Sequence, residues 1–352
     1  MSGEIQIGAH QIGAPGPVYI VAELSANHNQ DFEQAVRIIQ AAKLAGANAV
    51  KLQTYTPDTM TLRSEREEFR IRGGTIWDGQ TLHDLYREAY TPWDWQPKLM
   101  QIANDLGLDL FSTPFDTTAV DFLESMQVPA YKVASFELVD IPLLQKIART
   151  GKAMIISTGM ATLEEIEEAI CVVRDAGATQ IVLLKCTSAY PAPAEEMNLR
   201  TIPEMRQRFR VPVGLSDHSV GIVAPVAAVA LGACLIEKHL TLSRARKGPD
   251  SAFSLEPEEF RAMVDAVRTA EQALGDVHFG TTPSQANSMA FRRSLYVVQR
   301  MRRGQIFDGE NVRSIRPANG LHTKHREEVM GRRATRDIEA GTPLNWELVE
   351  KS

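Results

Sequence analysis

The chain has 352 residues, which is enough for one large domain and a smaller one. Its formal net charge of −6 argues against a nucleic acid or an anionic membrane surface as the main partner. No signal peptide is visible, no apolar run reaches the roughly 18 residues that span a bilayer, and the three cysteines form no CxxC pair, so we expect a cytoplasmic protein with free thiols.

Short apolar runs alternate with segments of helical periodicity through most of the chain. The runs that predict buried strands cover residues 19–23, 49–54, 108–113, 130–135, 153–157, 180–186, 211–216 and 233–239. Eight strands that alternate with helices are the number that a (β/α)8 TIM barrel requires. A doubly wound open sheet is the alternative, but polar residues follow nearly every strand, and this pattern favours a closed barrel.

Two regions depart from this alternation. Residues 56–91 form a long connection after the second strand, which is typical of a lid or a binding loop, and we expect a short helix near 82–89. We assign residues 1–279 to the barrel, 280–290 to a polar linker and 291–352 to a small β-rich domain.

The C-terminal domain contains an internal repeat. Five residues recur 37 positions later in the same order, so that Met301, Gly304, Phe307, Glu310 and Val312 correspond to Ile338, Gly341, Leu344, Glu347 and Val349. Two matched halves predict a compact fold with pseudo-twofold symmetry. The segment SIRPANGL, residues 314–321, lies between the halves and breaks the pattern, as a functional loop would.

Residues 213–242 contain a predicted strand, a crossover helix and a second strand. Alternation places Ser216 and His218 on one face of the first strand, and Glu237 and His239 on one face of the second. A right-handed crossover makes the strands parallel neighbours. Two imidazoles side by side indicate a divalent metal with positions open for water and substrate. The alternative is that each histidine is an ordinary core or capping residue.

Lys51 and Lys132 lie within predicted strands two and four. Lysine is almost never buried unless it is paired, so two lysines inside a barrel predict an anionic ligand, and the hydroxyl groups at neighbouring strand ends add neutral donors. This composition is typical of a pocket for phosphate and carboxylate groups. The alternative is that the two lysines pair only with Glu23 and Glu237.

Two further functions compete with this interpretation. Lys185, in predicted strand six, is a candidate for a Schiff base in an aldolase. However, Ser188 and Tyr190 have the opposite parity, so Lys185 faces the helices if they face the site. A carbohydrate-binding module on a scaffold without chemistry is the third possibility, but it leaves the lysines and the paired histidines without a purpose.

Several motifs together resemble the sialic acid synthase family. They are AELSANHN, KLQTYTPDTMTL, FSTPFD, YKVASFE, ISTGMAT, LLKCTSAYPAP, VGLSDHSVG and IEKHLTL. AELSANH, KLQTYTPD and the insertion GGTIWDGQTLHDLY resemble the pseudaminic acid synthase branch rather than the N-acetylneuraminate or legionaminic acid branches. FRRSLY and SIRPANGL resemble the antifreeze-like (SAF) domain that closes these enzymes.

The resemblance implies a transferase that condenses phosphoenolpyruvate with open-chain 2,4-diacetamido-2,4,6-trideoxy-altrose and water. The products would be a nine-carbon 2-keto acid and phosphate, released by C–O cleavage. N-acetylneuraminate or legionaminate synthesis is the closest alternative. Arg316 would reach the site from a partner subunit, which implies a domain-swapped homodimer.

The resemblance also implies a role for each residue of the site. Those that would hold phosphoenolpyruvate are Lys51, Thr113, Lys132, Ser135, Ser157, Ser188 and Ser216. Those that would face the sugar or the reacting water are Glu23, Gln53, Tyr190, Glu237, Asp250 and Arg316. His218 and His239 would hold Mn²⁺, Mg²⁺ or Co²⁺, and with Glu23 and Glu237 they would be the catalytic residues.

Overall fold

The computed structural model describes residues 5–13 and 16–351. The chain divides into two compact units, Met1–Gly275 and Asp276–Ser352. The strands within the described residues are β1 (Ile5–Ile7), β2 (His10–Ile12), β3 (Tyr19–Glu23), β4 (Ala49–Thr54), β5 (Asp109–Pro114), β6 (Ala130–Val133), β7 (Ala153–Ser157), β8 (Ile181–Cys186), β9 (Val213–Asp217), β10 (Leu235–His239), β11 (Ser294–Val297) and β12 (Val312–Ile315).

Strands β3 to β10 close into a parallel barrel in sequence order. The last strand, β10, pairs with β9 on one side and with β3 on the other, so the sheet has no edge. The prediction of a (β/α)8 barrel is confirmed, and the open sheet is wrong. Closure brings the carboxyl ends of all eight strands around one opening, where barrels of this type carry their chemistry.

Helices surround the barrel. They are α1 (Phe32–Leu44), α2 (Pro57–Met60), α3 (Leu82–Ala89), α4 (Gln96–Asp105), α5 (Thr117–Ser125), α6 (Ile141–Ala148), α7 (Leu163–Asp175), α8 (Thr201–Phe209), α9 (Val223–Ala230), α10 (Pro257–Leu274) and, in the second unit, α11 (Arg326–Val329). Helix α7 begins after Thr162, because Thr162 and Glu165 form a capping box. Among the described helices, none has the length and apolar character needed to cross a membrane.

The barrel interior is divided into an apolar and a polar layer along its axis. Its lower part is a cluster of buried side chains that includes Tyr19, Phe111, Ile155 and Leu235. Inward positions nearer the carboxyl ends carry polar groups instead, as Lys51 on β4 illustrates. The alternation of the strands therefore places the polar layer directly above a packed apolar base.

The N-terminal hairpin β1–β2, which the sequence did not lead us to predict, packs against the lower part of the barrel. Ile5, Ile7 and Ile12 belong to the same buried cluster as the barrel interior. Asp109 at the start of β5 accepts a hydrogen bond from the Tyr19 hydroxyl at 2.6 Å and lies 2.8 Å from Nδ1 of His10. The hairpin thus closes the amino-terminal end of the barrel with apolar side chains, and the contact between His10 and Asp109 links it to β5.

Two observed strands differ from their predicted bounds near the site, one by ending earlier and one by starting and ending later. Strand β6 ends at Val133 rather than at residue 135, and Ser135 begins a 3₁₀ turn, Ser135–Val139. Strand β9 begins at Val213 and ends at Asp217. Side-chain alternation therefore stops earlier at β6 than the sequence suggested.

Residues 56–91, which we call the lid, leave the barrel after β4 and return before α4. The lid contains α2 and α3, and α3 occupies residues 82–89 as predicted. Between them the chain doubles back, with the Ile71 N–H donating to the Gln80 carbonyl at 2.9 Å. The Asp78 carboxylate closes the tip by accepting from the Gly74 N–H at 2.9 Å. These bonds make the lid an ordered element.

The second unit has the pseudo-twofold symmetry that the repeat predicts. Met301 and Ile338, equivalent positions in the two halves, exchange backbone hydrogen bonds of 2.8 and 2.9 Å. Gly304 and Gly341, also equivalent, have φ values of +80° and +84°, a region that favours glycine. Strands β11 and β12 form an antiparallel pair. The boundaries of the predicted linker, which overlaps a 3₁₀ helix at Pro283–Phe291, stay a prediction.

Candidate active site

A cavity of about 680 Å³ opens at the carboxyl end of the barrel, and this volume lies in the usual range for small-molecule sites. The predicted site residues that line it are Lys51, Gln53, Lys132, Ser135, Ser157, Tyr190, Ser216, His218, Glu237, His239 and Asp250. They come from six barrel strands and the turns that follow them. Side chains far apart in sequence are therefore brought to one place by strand alternation.

The other predicted residues do not line the cavity. Glu23 is fully buried and contacts Lys51, while Thr113 accepts a hydrogen bond from the Lys51 ammonium at 3.3 Å. Ser188 lies 3.6 Å from the sulfur of Cys186, which does line the cavity. Arg316 is exposed at the end of β12 in the second unit. Glu23 and Thr113 thus form a second layer behind the cavity surface.

Two lysines and two glutamates form what we call the cavity floor: Lys51, Lys132, Glu23 and Glu237. The Lys51 ammonium lies 2.5 Å from Glu23 and 3.3 Å from Glu237, and the Lys132 ammonium lies 3.7 Å from Glu237. All four are at most 4% exposed. Charges taken out of water in this way need close opposite charges, and here two cations balance two anions.

Electrostatics differ between the members of the cavity floor. Burial raises the pKa of Glu23, Lys51 lowers it and Glu237 raises it again, with a result of about 6. Burial opposes the charge on Glu237 as well, but Lys132 and Lys51 outweigh it and hold its pKa below the usual value. Burial lowers the pKa of Lys132. Of the two carboxylates of the cavity floor, Glu23 is therefore the one whose pKa lies closer to neutral pH.

The two predicted imidazoles lie side by side, with ring centroids 5.4 Å apart. Nδ1 of His218 is 3.2 Å from the Thr187 carbonyl, whereas the buried Nδ1 of His239 has no hydrogen-bonding partner among the described residues. Burial and the charge of His218 both lower the pKa of His239, which keeps it neutral. Burial lowers the pKa of His218 as well, but Cys186 and the Thr187 carbonyl outweigh burial and raise it. His239 is therefore the ring held in the neutral form that binds a metal.

The histidine pair was tested as a metal site. Within residues 5–13 and 16–351, no group of three or more His, Cys, Asp or Glu side chains is arranged to hold an ion. Two neighbouring imidazoles, one with an unpaired buried nitrogen, nevertheless fit an ion with two protein ligands and positions left for water and substrate. This donor set is suited to a catalytic rather than a structural ion.

A buried ion pair lies behind the imidazoles. Asp217 and Lys238 precede His218 and His239 by one position each, so they face away from the cavity. Their side chains are fully buried, 2.5 Å apart, and the Ser219 N–H donates to Asp217 at 2.9 Å. The pair joins the ends of β9 and β10 on the side opposite the two rings.

Ser25, which we did not predict, connects three parts of the site. Its hydroxyl donates to the Asp250 carboxylate and accepts from the Gln53 side-chain amide at 2.9 Å. Gln53 donates in turn to Glu23 at 3.3 Å. Ser25 is two positions after Glu23 but begins a 3₁₀ turn, Ser25–His28, so strand alternation gives no signal for it.

Glu137 and Cys186 also line the cavity and were missed. Burial raises the pKa of Glu137 to about 7, and one of its carboxylate oxygens has no partner among the described residues. Glu137 belongs to the turn after β6, where strand alternation gives no signal. Cys186 has the same parity as Ser188, so alternation pointed to it, but we expected only a free thiol there and gave it no place in the site.

Lys185 is directed away from the cavity. Its ammonium donates to the carbonyl of Cys186 at 2.8 Å and to the Thr187 hydroxyl at 3.3 Å, and it is not among the residues that line the cavity. This orientation agrees with its parity and leaves the Schiff-base alternative without a positioned amine.

Comparisons with known proteins agree with this site. The profile of the NeuB family matches residues 38–279 and that of the SAF domain matches residues 292–350. The chain is 47% identical over 327 residues to the pseudaminic acid synthase of Campylobacter jejuni subsp. jejuni serotype O:23/36, a match that covers 93% of this chain and 95% of the relative. It is 43% identical to the pseudaminic acid synthase of Helicobacter pylori, over 96% and 99% of the two chains.

A solved structure is also similar. The N-acetylneuraminic acid synthetase of Leptospira borgpetersenii serovar Hardjo-bovis, in complex with citrate, superposes with a TM-score of 0.73 at 32% identity and covers 82% of this chain and 96% of its own. Family profile, full-length relatives and fold all point the same way. The chain belongs to the NeuB family, and its C-terminal region is a SAF domain.

Proposed function

We propose that this protein is a pseudaminic acid synthase, which condenses phosphoenolpyruvate with 2,4-diacetamido-2,4,6-trideoxy-altrose and water. The observation that carries the proposal is a cavity in which two buried lysines face a pair of neighbouring imidazoles. The identity of 47% to a full-length pseudaminic acid synthase supports the choice of acceptor. The product is a nine-carbon 2-keto acid, and phosphate leaves.

The cavity floor holds phosphoenolpyruvate. Lys51 and Lys132 supply two ammonium groups, and the buried Ser157 hydroxyl has no partner among the described residues and is free to donate to an anion. The phosphate and carboxylate groups of the substrate replace Glu23 and Glu237 as partners of the lysines. Fixed donors of this kind accelerate the reaction mainly by orientation and preorganised charge.

His218 and His239 hold a divalent ion such as Mn²⁺, Mg²⁺ or Co²⁺. When bound, such an ion acts as a Lewis acid on the aldehyde oxygen of the acceptor. The Thr187 carbonyl orients the His218 ring through Nδ1, which leaves Nε2 as the nitrogen available to the ion. The Asp217–Lys238 pair fixes the spacing of the two strand ends that carry the rings.

The proposed reaction forms one C–C bond and breaks one C–O bond. C3 of phosphoenolpyruvate attacks the aldehyde carbon, and the aldehyde oxygen gains a proton. Water adds to C2 after losing a proton, and the C2–O bond to phosphate then breaks. Glu23, with a pKa of about 6 and an orienting hydrogen bond from Gln53, is the group that takes the proton from water.

Product analysis tests the function. The purified protein is incubated with phosphoenolpyruvate, Mn²⁺ and, in separate reactions, the diacetamido-trideoxy hexose, N-acetylmannosamine or the acceptor for legionaminate. Mass spectrometry should find the nine-carbon acid in greatest yield with the first sugar. In ¹⁸O water, the label should enter C2 of the product and not the phosphate. Label in phosphate, or a preference for another acceptor, would contradict the proposal.

The metal has a test that does not depend on activity. Titration of the apoprotein with Mn²⁺, followed by electron paramagnetic resonance of the free ion, should give about one bound ion per chain, and His239→Ala should remove that binding. Unchanged binding in the variant would show that the imidazoles are not ligands.

We also propose that Arg316 of one chain completes the cavity of a second copy in a domain-swapped homodimer. Its exposed position at the end of β12 supports this assignment. Arg316→Ala and Lys51→Met should each be inactive, while a mixture refolded together should recover part of the activity through hybrid dimers. No recovery would contradict the swap. A cytoplasmic location is proposed on the three free thiols.

A further inference from the structure

The lid combines a charged exterior with an uncharged inner surface. About one third of its residues are charged. None of these charged residues is among those that line the cavity, where the lid contributes Thr59, Met60, Ile71, Thr75, Trp77, Leu82, Leu85, Tyr86 and Ala89. Although about one third of the lid is charged, only neutral and mainly apolar side chains of the lid line the cavity.

Helix α3 explains how the separation arises. Leu82, Leu85, Tyr86 and Ala89 follow the spacing i, i+3, i+4 and i+7, which puts them on one face of a helix. Apolar faces of helices normally pack on a protein core, but all four residues of this stripe line the cavity. Tyr86 also lies 5.7 Å from the ring of Tyr55, so protein contacts and the occupant of the cavity together complete the packing of this stripe.

The lid spans the whole width of the opening. It leaves the barrel after β4, and its tip contacts the segment after β8, which lies opposite β4 in the closed barrel. Trp77 holds the tip at two places, because its ring lies 5.6 Å from that of Tyr190 after β8 and its indole N–H donates to the Pro249 carbonyl after β10 at 3.0 Å. The lid is thus a roof that faces the charged cavity floor across the cavity.

The proposed position of the reacting groups indicates which end of an acceptor meets the lid. In the proposed function, on which this inference rests, C1 of the open-chain hexose reacts with phosphoenolpyruvate at the cavity floor. The chain of the sugar then extends toward the roof, and C6 meets the lid. A methyl group at C6 fits an apolar wall, whereas a hydroxymethyl group there would lose hydrogen bonds to water without replacement.

We propose that the apolar stripe of α3 is the specificity element for the acceptor: it selects a hexose with a methyl group at C6 over one with a hydroxyl. One group in an apolar pocket discriminates by about 10- to 200-fold in kcat/KM. The wild-type protein should therefore favour 2,4-diacetamido-2,4,6-trideoxy-altrose over 2,4-diacetamido-2,4-dideoxy-altrose, which differs only by the C6 hydroxyl, by at least about 10-fold.

The test compares kcat/KM for these two sugars in matched variants. Leu82→Asn places an amide in the stripe and should reduce the preference for the methyl sugar at least fivefold, with the KM for phosphoenolpyruvate unchanged. Leu82→Met keeps the stripe apolar and should show the same preference as the wild-type protein. Arg87→Gln is the control, since Arg87 lies on the exposed side of the same helix, where it pairs with Asp84, and it should leave the ratio unchanged.

A second variant keeps the test decisive if Leu82→Asn does not fold. Ala89→Ser adds only a hydroxyl to the stripe and should also lower the preference. A wild-type ratio near one, or a ratio that neither variant changes, would overturn the inference. If the wild type makes no nine-carbon acid from any sugar, the proposed function has failed, whereas product formation without discrimination refutes the role of the lid alone.

Discussion

The cavity floor and the lid enclose the same ligand space with opposite chemistry. The floor buries charged groups on barrel strands, where strand register places Lys51 directly beside Glu23. The lid turns its charges outward and presents an apolar stripe on one short helix. The contrast shows how the fold divides its tasks: the rigid sheet holds the reacting groups, and an insertion that can vary without disturbing the barrel contacts the variable part of the substrate.

The largest effect should follow from a lysine of the floor. Lys51→Met leaves Glu23 and Glu237 buried without their shared cation and removes a ligand for phosphoenolpyruvate. We expect kcat/KM to fall about 10³-fold, or about 4 kcal/mol, in steady-state assays. Lys185→Met is the matched control on β8 and should change kcat/KM by less than about threefold, because its amine lies outside the cavity. Equal losses in both variants would contradict the role of the floor.

The next largest effect concerns the support beneath the imidazoles. Lys238→Met leaves the Asp217 carboxylate fully buried without its cation. Removing one partner of a buried pair costs about 3 kcal/mol or more, and urea unfolding measures this loss. The double variant Asp217→Asn and Lys238→Met should recover part of the stability. A single variant as stable as the wild type would show that the pair contributes little.

A smaller effect should arise at the seam between barrel and lid. His28 is fully buried, accepts from the Gln30 N–H through Nδ1 at 3.1 Å, and lies 3.2 Å from the hydroxyl of Thr91, the last residue of the lid. Burial lowers its pKa to about 4. As the pH falls, His28 is protonated below about pH 6.5 in the unfolded chain but only near pH 4 in the folded chain.

The sign of this linkage gives a measurable slope. His28 does not affect the free energy of unfolding above pH 6.5, but it lowers that free energy as the pH falls toward 4, by an amount on the order of 3 kcal/mol. Urea unfolding of wild type and His28→Gln at pH 7 and pH 5 should therefore show a smaller pH-dependent loss in the variant. Identical slopes would exclude His28 as the source.

The smallest effect should come from the exterior of the lid. Arg66 lies 3.0 Å from Glu68, and both side chains are mostly exposed. Water and salt screen such a pair, so Arg66→Ala should change the free energy of unfolding by less than about 0.5 kcal/mol. A loss of unfolding free energy above about 1 kcal/mol would contradict the expectation that this exposed pair contributes far less to stability than the buried Asp217–Lys238 pair.

The sequence was most informative where alternation is regular. All eight barrel strands overlap their predicted ranges, and Ser216, His218, Glu237 and His239 line the cavity because they have the parity that we expected. The resemblance to the sialic acid synthase family supplied what parity does not give, namely the identity of the substrates. The role of each predicted site residue stays a prediction that the variants above address.

What the sequence did not reveal lies where periodicity ends. Glu137 follows a strand that stops at Val133, and a 3₁₀ turn redirects its side chain into the cavity. Trp77 lies at the tip of the lid, and its contacts with Tyr190 and Pro249 join segments more than 100 residues apart. Only the folded chain brings these partners together, so no local pattern predicts their contact.

The hairpin β1–β2 beneath the barrel has a consequence for how ligands reach the cavity. Because Ile5, Ile7 and Ile12 fill the amino-terminal end of the barrel, we expect ligands to enter the cavity from the carboxyl end. In the proposed reaction phosphoenolpyruvate lies deepest, on the cavity floor, so we expect it to bind before the sugar.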